Sequence, residues 1–342
     1  MRILGRFGIL FSLTLLVLAI LSFALAYLFP GDVLTNLTGI VPQNDAHREL
    51  LIQKHRLDEA YFFQFVHYLT EMLQGNWGYS FASGLSLKEE IGLALPATIE
   101  LAFYAMFIAI VIGLPVGCYA GLKSYTAADY SINSVSMVGY SFPVFWLALL
   151  FILLFSLELN IAPLSGRISL LFDVPDKTGF ILIDILLAEN IDTSLALRDA
   201  FHHLLLPTLA LSVISTASMI RMTRRSVIDV LNRPYITAAR SRGLSRWQTF
   251  SRHILRNALL PVLPLLAIQI TSLITNAMIV ETLFSWPGIG NWLIQAIYQR
   301  DYPALRVGML AVATVVIMLT ITIDLFNRLI DPSRDKYERA TV

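Results

Sequence analysis

The sequence predicts an all-α membrane protein with six transmembrane helices. Of its 342 residues, 56% are hydrophobic and 14% are charged, whereas a soluble domain has about 25% charged residues. The mean hydropathy of +0.67 is too apolar for a protein whose surface faces water. The apolar residues form long runs without the alternation of a β-strand, so helices are the expected way to satisfy the backbone in a bilayer.

Six runs approach the roughly 20 apolar residues that a helix needs to cross a bilayer. They cover residues 7–29, 97–120, 132–157, 204–220, 259–283 and 305–326. The third run contains Pro143, which either produces a simple kink or shapes a translocation pathway. The first run follows Arg2 and Arg6 and so resembles a cleavable signal peptide. Its apolar stretch is longer than a usual signal core, which favours an uncleaved helix.

The distribution of Lys and Arg predicts the orientation. With the N-terminus inside, sixteen of these residues fall on the cytoplasmic side and nine on the outer side, as the positive-inside rule requires. Both termini are therefore expected in the cytoplasm. The predicted organisation is an N-terminal transmembrane helix (1–30), an extracytoplasmic segment (31–95), five further helices (96–328) and a cytoplasmic tail (329–342).

The chain lacks the residues that several classes of function would need. The chain has no G-x-x-x-x-G-K-[ST] loop for nucleotide, and its single Cys118 cannot form an internal disulfide or a cysteine-based zinc site. No metal-binding motif or set of catalytic residues stands out, which disfavours a membrane-embedded enzyme. The net charge of +1 gives no signature for nucleic acid. No ionisable side chain lies near the middle of a run, which disfavours an autonomous secondary carrier and favours a partner that supplies energy.

The loop at residues 221–258 carries the most specific pattern. It holds nine arginines, which the positive-inside rule explains without any functional role. Pro234 can begin a short helix, and Gly243 can end it with a positive φ. Ser245 and Gln248 then fit a capping box that begins a second helix.

The second helix of this loop is expected to be amphipathic. Trp247, Phe250 and Ile254 fall on one face at helical spacing. A short helix, a glycine break and an amphipathic helix would together make a rigid projection into the cytosol, against which a motor protein could push.

This loop resembles the coupling loop of ABC importer permeases. Thr237 stands where the general motif of that family has glutamate, and the distance from Gly243 to the following Leu-Pro is long. Both features are typical of the dipeptide/oligopeptide branch, although Ala239 stands where that branch has arginine. The residues that carry the resemblance, and that it marks as the ATPase-coupling site, are Thr237, Ala238, Ala239, Gly243, Leu260 and Pro261.

Other segments resemble the same branch in the same order along the chain. They are GNWGYS at 75–80, LPATIEL at 95–101, SFPVFW at 141–146, RHILRNALLP at 252–261 and FSWPGIG at 284–290. Within the branch, PLSGR at 163–167 is similar to the SapB-type permeases of peptide transport systems.

The resemblance implies a type I ABC importer permease fold, with residues 96–328 as the permease domain and 221–258 as its coupling loop. Such a chain is not an enzyme and binds no cofactor or nucleic acid. It lies in the bacterial inner membrane and forms half of a translocation pathway for peptides, including antimicrobial peptides. The implied partners are a homologous second permease, two cytoplasmic ATPases that use the ATP, an extracytoplasmic substrate-binding protein and the lipid bilayer. The alternative is a non-peptide substrate such as a polyamine, nickel or a haem-like compound.

The remaining candidate site residues have a structural interpretation as well as a functional one. The pathway candidates are Ser141, Phe142, Pro143, Gln269 and Asn276. Polar residues of the fifth run either bond neighbouring helices or line a wet pathway. The outer-face motif is Trp286, Pro287 and Gly288. Its tryptophan is either an interfacial anchor or a gate or receptor contact. Gly113 and Gly117 are explained by close helix packing.

Overall fold

The computed structural model describes residues 2–330. The regular secondary structure in that range is helical, with no strand in it beyond an isolated bridge between Tyr79 and Ser86. The first seven helices are α1 Arg2–Leu28, α2 Val33–Thr38, α3 Asp45–Lys54, α4 Tyr61–Gln74, α5 Leu87–Leu122, α6 Ala127–Ser141 and α7 Val144–Phe151. The remaining helices are α8 Ile181–Leu186, α9 Thr193–Leu231, α10 Pro234–Ser241, α11 Arg246–Thr249, α12 Arg256–Leu259, α13 Leu263–Leu283, α14 Ile289–Gln299 and α15 Tyr302–Ile330. Two π-helical segments, Ile152–Glu158 and Phe250–Leu255, complete the set. Residues 331–342 of the predicted tail lie outside the described range.

Within the described residues, five helices are long and apolar enough to cross a membrane, in agreement with five of the six predicted runs. They are Gly8–Leu28, Leu87–Leu122, Thr193–Leu231, Leu263–Leu283 and Tyr302–Leu329. Leu87–Leu122 and Thr193–Leu231 extend well beyond their apolar runs, because polar residues at a span end can stay helical outside the hydrocarbon. The all-helical membrane fold is thus confirmed, while the side on which each terminus lies remains a prediction.

The third predicted run is broken rather than kinked. Helix α6 and the segment Val144–Glu158 meet at an angle of 94°. Pro143 has no N–H and disfavours the helical conformation of the residue before it. Phe142 and Pro143 accordingly both have extended backbones, with ψ of 134° and 143°. The expected total of six spans is reached when this bent pair is counted as one span.

The described chain divides into two compact units. We call Met1–Thr98, Leu170–Ala196 and Ser285–Met318 the first unit. Its helix α4 packs aromatic side chains against α1. The ring centroids of Phe23 and Tyr68 lie 5.6 Å apart.

The second unit consists of Ile99–Ser169, Leu197–Phe284 and Leu319–Val342. Glycines let α5 approach α9 closely. A Cβ added at Gly113 would lie 2.6 Å from Cβ of Met219, and one at Gly117 would lie 2.7 Å from the carbonyl oxygen of Ile220. Gly121, which the sequence analysis did not single out, continues the contact one turn later, where an added Cβ would lie 2.7 Å from Val227. Close packing at Gly113 and Gly117 is therefore confirmed.

A buried ion pair also joins α6 to α9 within the second unit. Arg224 donates to both carboxylate oxygens of Asp129, at 2.5 and 2.7 Å, and the Asp129 side chain is fully buried. Breaking a buried pair by removing one partner costs about 3–5 kcal/mol. The pair therefore fixes the start of the broken span on its neighbour.

Candidate coupling surface and translocation site

The coupling segment, residues 221–258, folds locally as its sequence predicts. Pro234 occupies the first turn of α10. Gly243 follows that helix with a φ of +81°, and its N–H donates to the carbonyl of Arg240 at 3.0 Å. Ser245 and Gln248 form the predicted capping box, in which each side chain accepts from the other residue's backbone N–H.

A buried apolar cluster anchors the coupling segment to the spans of the second unit. Ile236 and Ile254 pack there with four residues of α5, α9 and α12, namely Cys118, Val227, Val230 and Ala258. Ser226 Oγ on α9 also donates to the carbonyl oxygen of Ala258 at 2.6 Å. The two loop helices are therefore held against the spans rather than projecting on a mobile tether.

The opposite face of α10 is exposed. Thr237 and Ala238 are accessible to solvent, whereas Ala239 is buried. Gly243 is exposed, and an added Cβ there would meet nothing within 4 Å. The segment thus presents a small, smooth surface at the end of a fixed helix. Leu260 and Pro261 lie apart from it, in the turn that leads into α13.

The three residues of the predicted apolar face on the second loop helix differ in burial. Ile254 is buried and Phe250 half-buried, but the Trp247 side chain is 71% exposed. The stretch Phe250–Leu255 is π-helical, with i→i+5 rather than i→i+4 bonds. The rings of Trp247 and Phe250 still pack together on one face, with centroids 5.7 Å apart.

Four of the five pathway candidates line one cavity of about 440 Å³ in the second unit. Ser141, Phe142 and Pro143 come from the broken span, and Asn276 comes from α13. Sequence analysis missed other lining residues, among them Tyr140, Phe145, Ile214 and Ile279. The fifth candidate, Gln269, is buried on α13 and does not line this cavity.

Aromatic contacts surround the helix break that borders this cavity. Phe142, held in extended conformation, stacks on Trp146 with ring centroids 4.6 Å apart. The guanidinium of Arg221 on α9 lies 4.0 Å from the ring centroid of Tyr140. No signal in the sequence pairs Arg221 with Tyr140, because the contact joins residues far apart in the chain.

The outer-face motif belongs to the interior of the first unit. The Trp286 side chain is 0% exposed, and its indole N–H donates to the carbonyl oxygen of Ala97 at 3.0 Å. The N–H of Ile289 donates to the Thr98 hydroxyl at 2.9 Å. Trp286 is therefore buried among the residues of its own unit, and its role as an interfacial anchor, a gate or a receptor contact stays a prediction. Pro287 is exposed, and Gly288 is the N-cap of α14.

Comparison with known proteins identifies the family. Residues 113–336 match the model for the binding-protein-dependent transport system inner membrane component. The di/tripeptide transport system permease protein DppB of Pseudomonas aeruginosa (strain UCBPP-PA14) is 41% identical over 98% of both chains. The putrescine export system permease protein SapB of Escherichia coli K12 is 40% identical over 79% of this chain and 84% of its own.

A solved structure supports the fold. A chain of the inward-facing MetNI methionine ABC transporter aligns with a TM-score of 0.50 and 17% identity, over 68% of this chain and 93% of its own. The relatives are permease components rather than enzymes. The chain belongs to the family of binding-protein-dependent transport system inner membrane components, and it is a permease subunit of an ABC transporter.

Proposed function

We propose that this chain forms half of the pathway of a peptide importer, and that partner ATPases drive it through the exposed face of α10. The observation that carries the proposal is the contrast within one short helix. Ile236 and Ala239 are buried in the protein, whereas Thr237 and Ala238 face outward beside the open space at Gly243. A force applied by a partner to the exposed face of α10 would be transmitted through its buried face to the helices packed against it.

Helix α9 connects the coupling segment to the cavity of the second unit. It contributes Val227 and Val230 to the anchoring cluster and Ile214 to the cavity wall. At 1.5 Å per residue, Ile214 and Val227 are about 20 Å apart along one continuous helix. Movement of the coupling segment would therefore be passed to the cavity as a rigid-body displacement of α9. Differential contact with the ATPases would shift the population between two forms of the pathway.

The proposed cargo is a small peptide. The DppB relative is described as a di/tripeptide transport permease and matches the whole chain. A cavity of about 440 Å³ lies within the usual range of roughly 300–1,000 Å³ for small-molecule sites. Aromatic side chains and the Asn276 amide together offer apolar and hydrogen-bonding contacts of the kind a short peptide needs. ATP would be hydrolysed by two cytoplasmic partners, with a second permease and a binding protein completing the assembly.

Reconstitution tests this function directly. We expect proteoliposomes with the chain, a second permease, two ATPases and a binding protein to take up a labelled tripeptide only with ATP. We expect liposomes with the chain alone to show no flux. Tripeptide flux through the chain alone would instead indicate an autonomous channel and contradict the proposal.

A second candidate cargo is a polyamine, because the SapB relative of Escherichia coli K12 is described as a putrescine export permease. The same proteoliposomes, loaded with labelled putrescine, separate the two candidates. ATP-dependent release of putrescine without tripeptide uptake would favour the polyamine and the export direction.

A further inference from the structure

The first unit contains a partly open cavity that has no role in the proposed function. Its volume is about 390 Å³, and its walls come from α1, α2, α3, α4, α15 and the loops between them. Every lining residue belongs to the first unit, most of them to the segment predicted to be extracytoplasmic. The walls include Arg306, Tyr68, His55, His67 and Lys54.

Arg306 is the most unusual group in this cavity. Its side chain is 1% exposed. Nη2 donates to the carbonyl oxygen of Leu37 at 2.7 Å, but Nε and Nη1 are buried with no hydrogen-bond partner. No Asp or Glu of the described chain pairs with it within 4.0 Å. The ring of Tyr68, 4.9 Å away, provides only a cation–π contact.

A buried cation without a counterion is a strong signal. Burying an ionised group is costly unless it is paired and hydrogen-bonded. Arginine is always protonated in proteins, so Arg306 cannot relieve that cost by losing its proton. An acceptor in the cavity would stabilise the unsatisfied donors of this permanently charged side chain at the cavity wall.

The surrounding groups favour a negatively charged acceptor. His55 and His67 have ring centroids 6.1 Å apart, and the Nε2 atom of each is buried without a partner. Lys54 adds a further cation to the wall. Glu71 is the one carboxylate among the lining residues, and its Oε2 already accepts from the Asn76 side-chain amide at 3.1 Å.

We propose that this cavity is a binding site for a small oxyanion of the carboxylate or phosphate class, held by Arg306 with His55 and His67. Guanidinium groups recognise both classes through charge-assisted hydrogen bonds. Water could accept the free N–H bonds but would leave the charge of Arg306 uncompensated. Its lining shares no residue with the cavity of the second unit, so the proposal does not depend on whether the transporter moves peptides or polyamines.

Anion-dependent thermal unfolding tests the proposal on the assembled transporter in lipid nanodiscs. Sodium acetate, sodium phosphate and sodium chloride are titrated at pH 7 and constant ionic strength. A ligand that binds only the folded state raises the unfolding midpoint in a saturable manner. We expect acetate, phosphate or both to do so, and chloride not to.

Variants then locate the effect. Arg306→Met is expected to abolish the anion-dependent rise. Arg306→Lys, which keeps the charge but loses the planar fork, is expected to weaken binding about tenfold, equivalent to about 1.4 kcal/mol. Arg48→Gln is the matched control, because it removes a surface arginine of the same unit that pairs with Asp32. It should leave the anion response unchanged.

The outcomes separate the ligand classes and can overturn the site. A response to acetate alone indicates a carboxylate, and a response to phosphate alone indicates a phosphate. A midpoint that does not saturate, an equal response to chloride or a response that survives in Arg306→Met overturns the proposal. If Arg306→Met does not assemble, His67→Phe decides, because an unchanged anion affinity in that variant would also overturn it.

Discussion

The coupling segment and the outer-face motif both resemble family signatures, yet the fold treats them in opposite ways. Thr237, Ala238 and Gly243 are exposed beside open space, whereas Trp286 is fully buried and bonded to Ala97. The coupling segment is therefore accessible to a partner, whereas Trp286 packs in the interior of the first unit. Resemblance alone therefore cannot separate residues that contact a partner from residues that hold the fold, and burial can.

The largest stability effect is expected at Trp286. We predict that Trp286→Ala costs about 3–5 kcal/mol, the usual range for removing a buried tryptophan, because it leaves a large cavity and removes the indole bond to Ala97. Denaturant unfolding of the purified chain in detergent measures the change. Trp247→Ala is the control: its side chain is 71% exposed, so the expected change is within about 0.5 kcal/mol. Similar losses in the two variants would contradict the comparison.

The anchor of the coupling segment is expected to come next. We predict that Ile254→Ala costs about 2–4 kcal/mol, because Ile254 is 2% exposed in the cluster that holds the loop helices. Hydrogen exchange should become faster in α10 than in α13. Arg252→Ala, at an exposed position of the same segment, should leave the exchange of α10 unchanged. Protected amides in α10 of the Ile254 variant would show that the cluster is not its anchor.

Substitutions at Gly243 and at the control position Gly84 should have similar effects on stability but different effects on transport. Gly243 and Gly84 have φ values of +81° and +71°, and an added Cβ meets nothing within 4 Å at either position. We predict that Gly243→Asp and Gly84→Asp each cost about 1–2 kcal/mol, because both force an L-residue into left-handed backbone. Membrane insertion should persist in both.

Transport distinguishes these two variants. We expect Gly243→Asp to abolish ATPase docking and coupled uptake, since it places a charged side chain on the free face of the coupling segment. Gly84 lies in the first unit, so the Gly84→Asp variant should show normal coupled uptake. Normal coupled uptake by the Gly243 variant would remove the main support for the coupling surface.

The smallest effect is a pH dependence of the first unit. Burial lowers the pKa of His55, and the nearby charges of Lys54 and His67 lower it further, while Glu71 opposes them. The folded state then binds fewer protons than the unfolded state, whose histidine has a pKa of about 6.5. Stability should therefore fall as the pH drops below that value.

The unfolding midpoint between pH 8 and pH 5 checks this dependence. His55→Gln should flatten the profile, because glutamine does not titrate. An identical slope in the variant would show that His55 does not contribute to the pH dependence.

Local features of this chain were predictable because their causes are local. Five apolar runs became span-length helices, since the bilayer leaves a backbone few alternatives. Pro234, Gly243 and the Ser245–Gln248 capping box fell where their backbone preferences place them. The family resemblance was also carried by contiguous motifs, and comparison with known proteins confirmed it.

Other features depended on contacts between residues far apart in the chain. Pro143 predicted a disturbance of the helix, but not that the following segment would turn by 94°. The π-helical stretch Phe250–Leu255 has no marker in the sequence. The partnership of Asp129 with Arg224, and the burial of Arg306 without a counterion, likewise join distant positions.

The sequence by itself therefore determined which segments are apolar, where helices begin and end around proline and glycine, and to which family the chain belongs. Only the tertiary structure decided which motif residues remain free. Trp286 is buried because Ala97 and its neighbours fold over it, and Gly243 is exposed because Ile236 and Ile254 turn the opposite side of the segment inward. Hydrophobicity and backbone preference belong to single residues and short windows, whereas burial depends on which distant segments pack together.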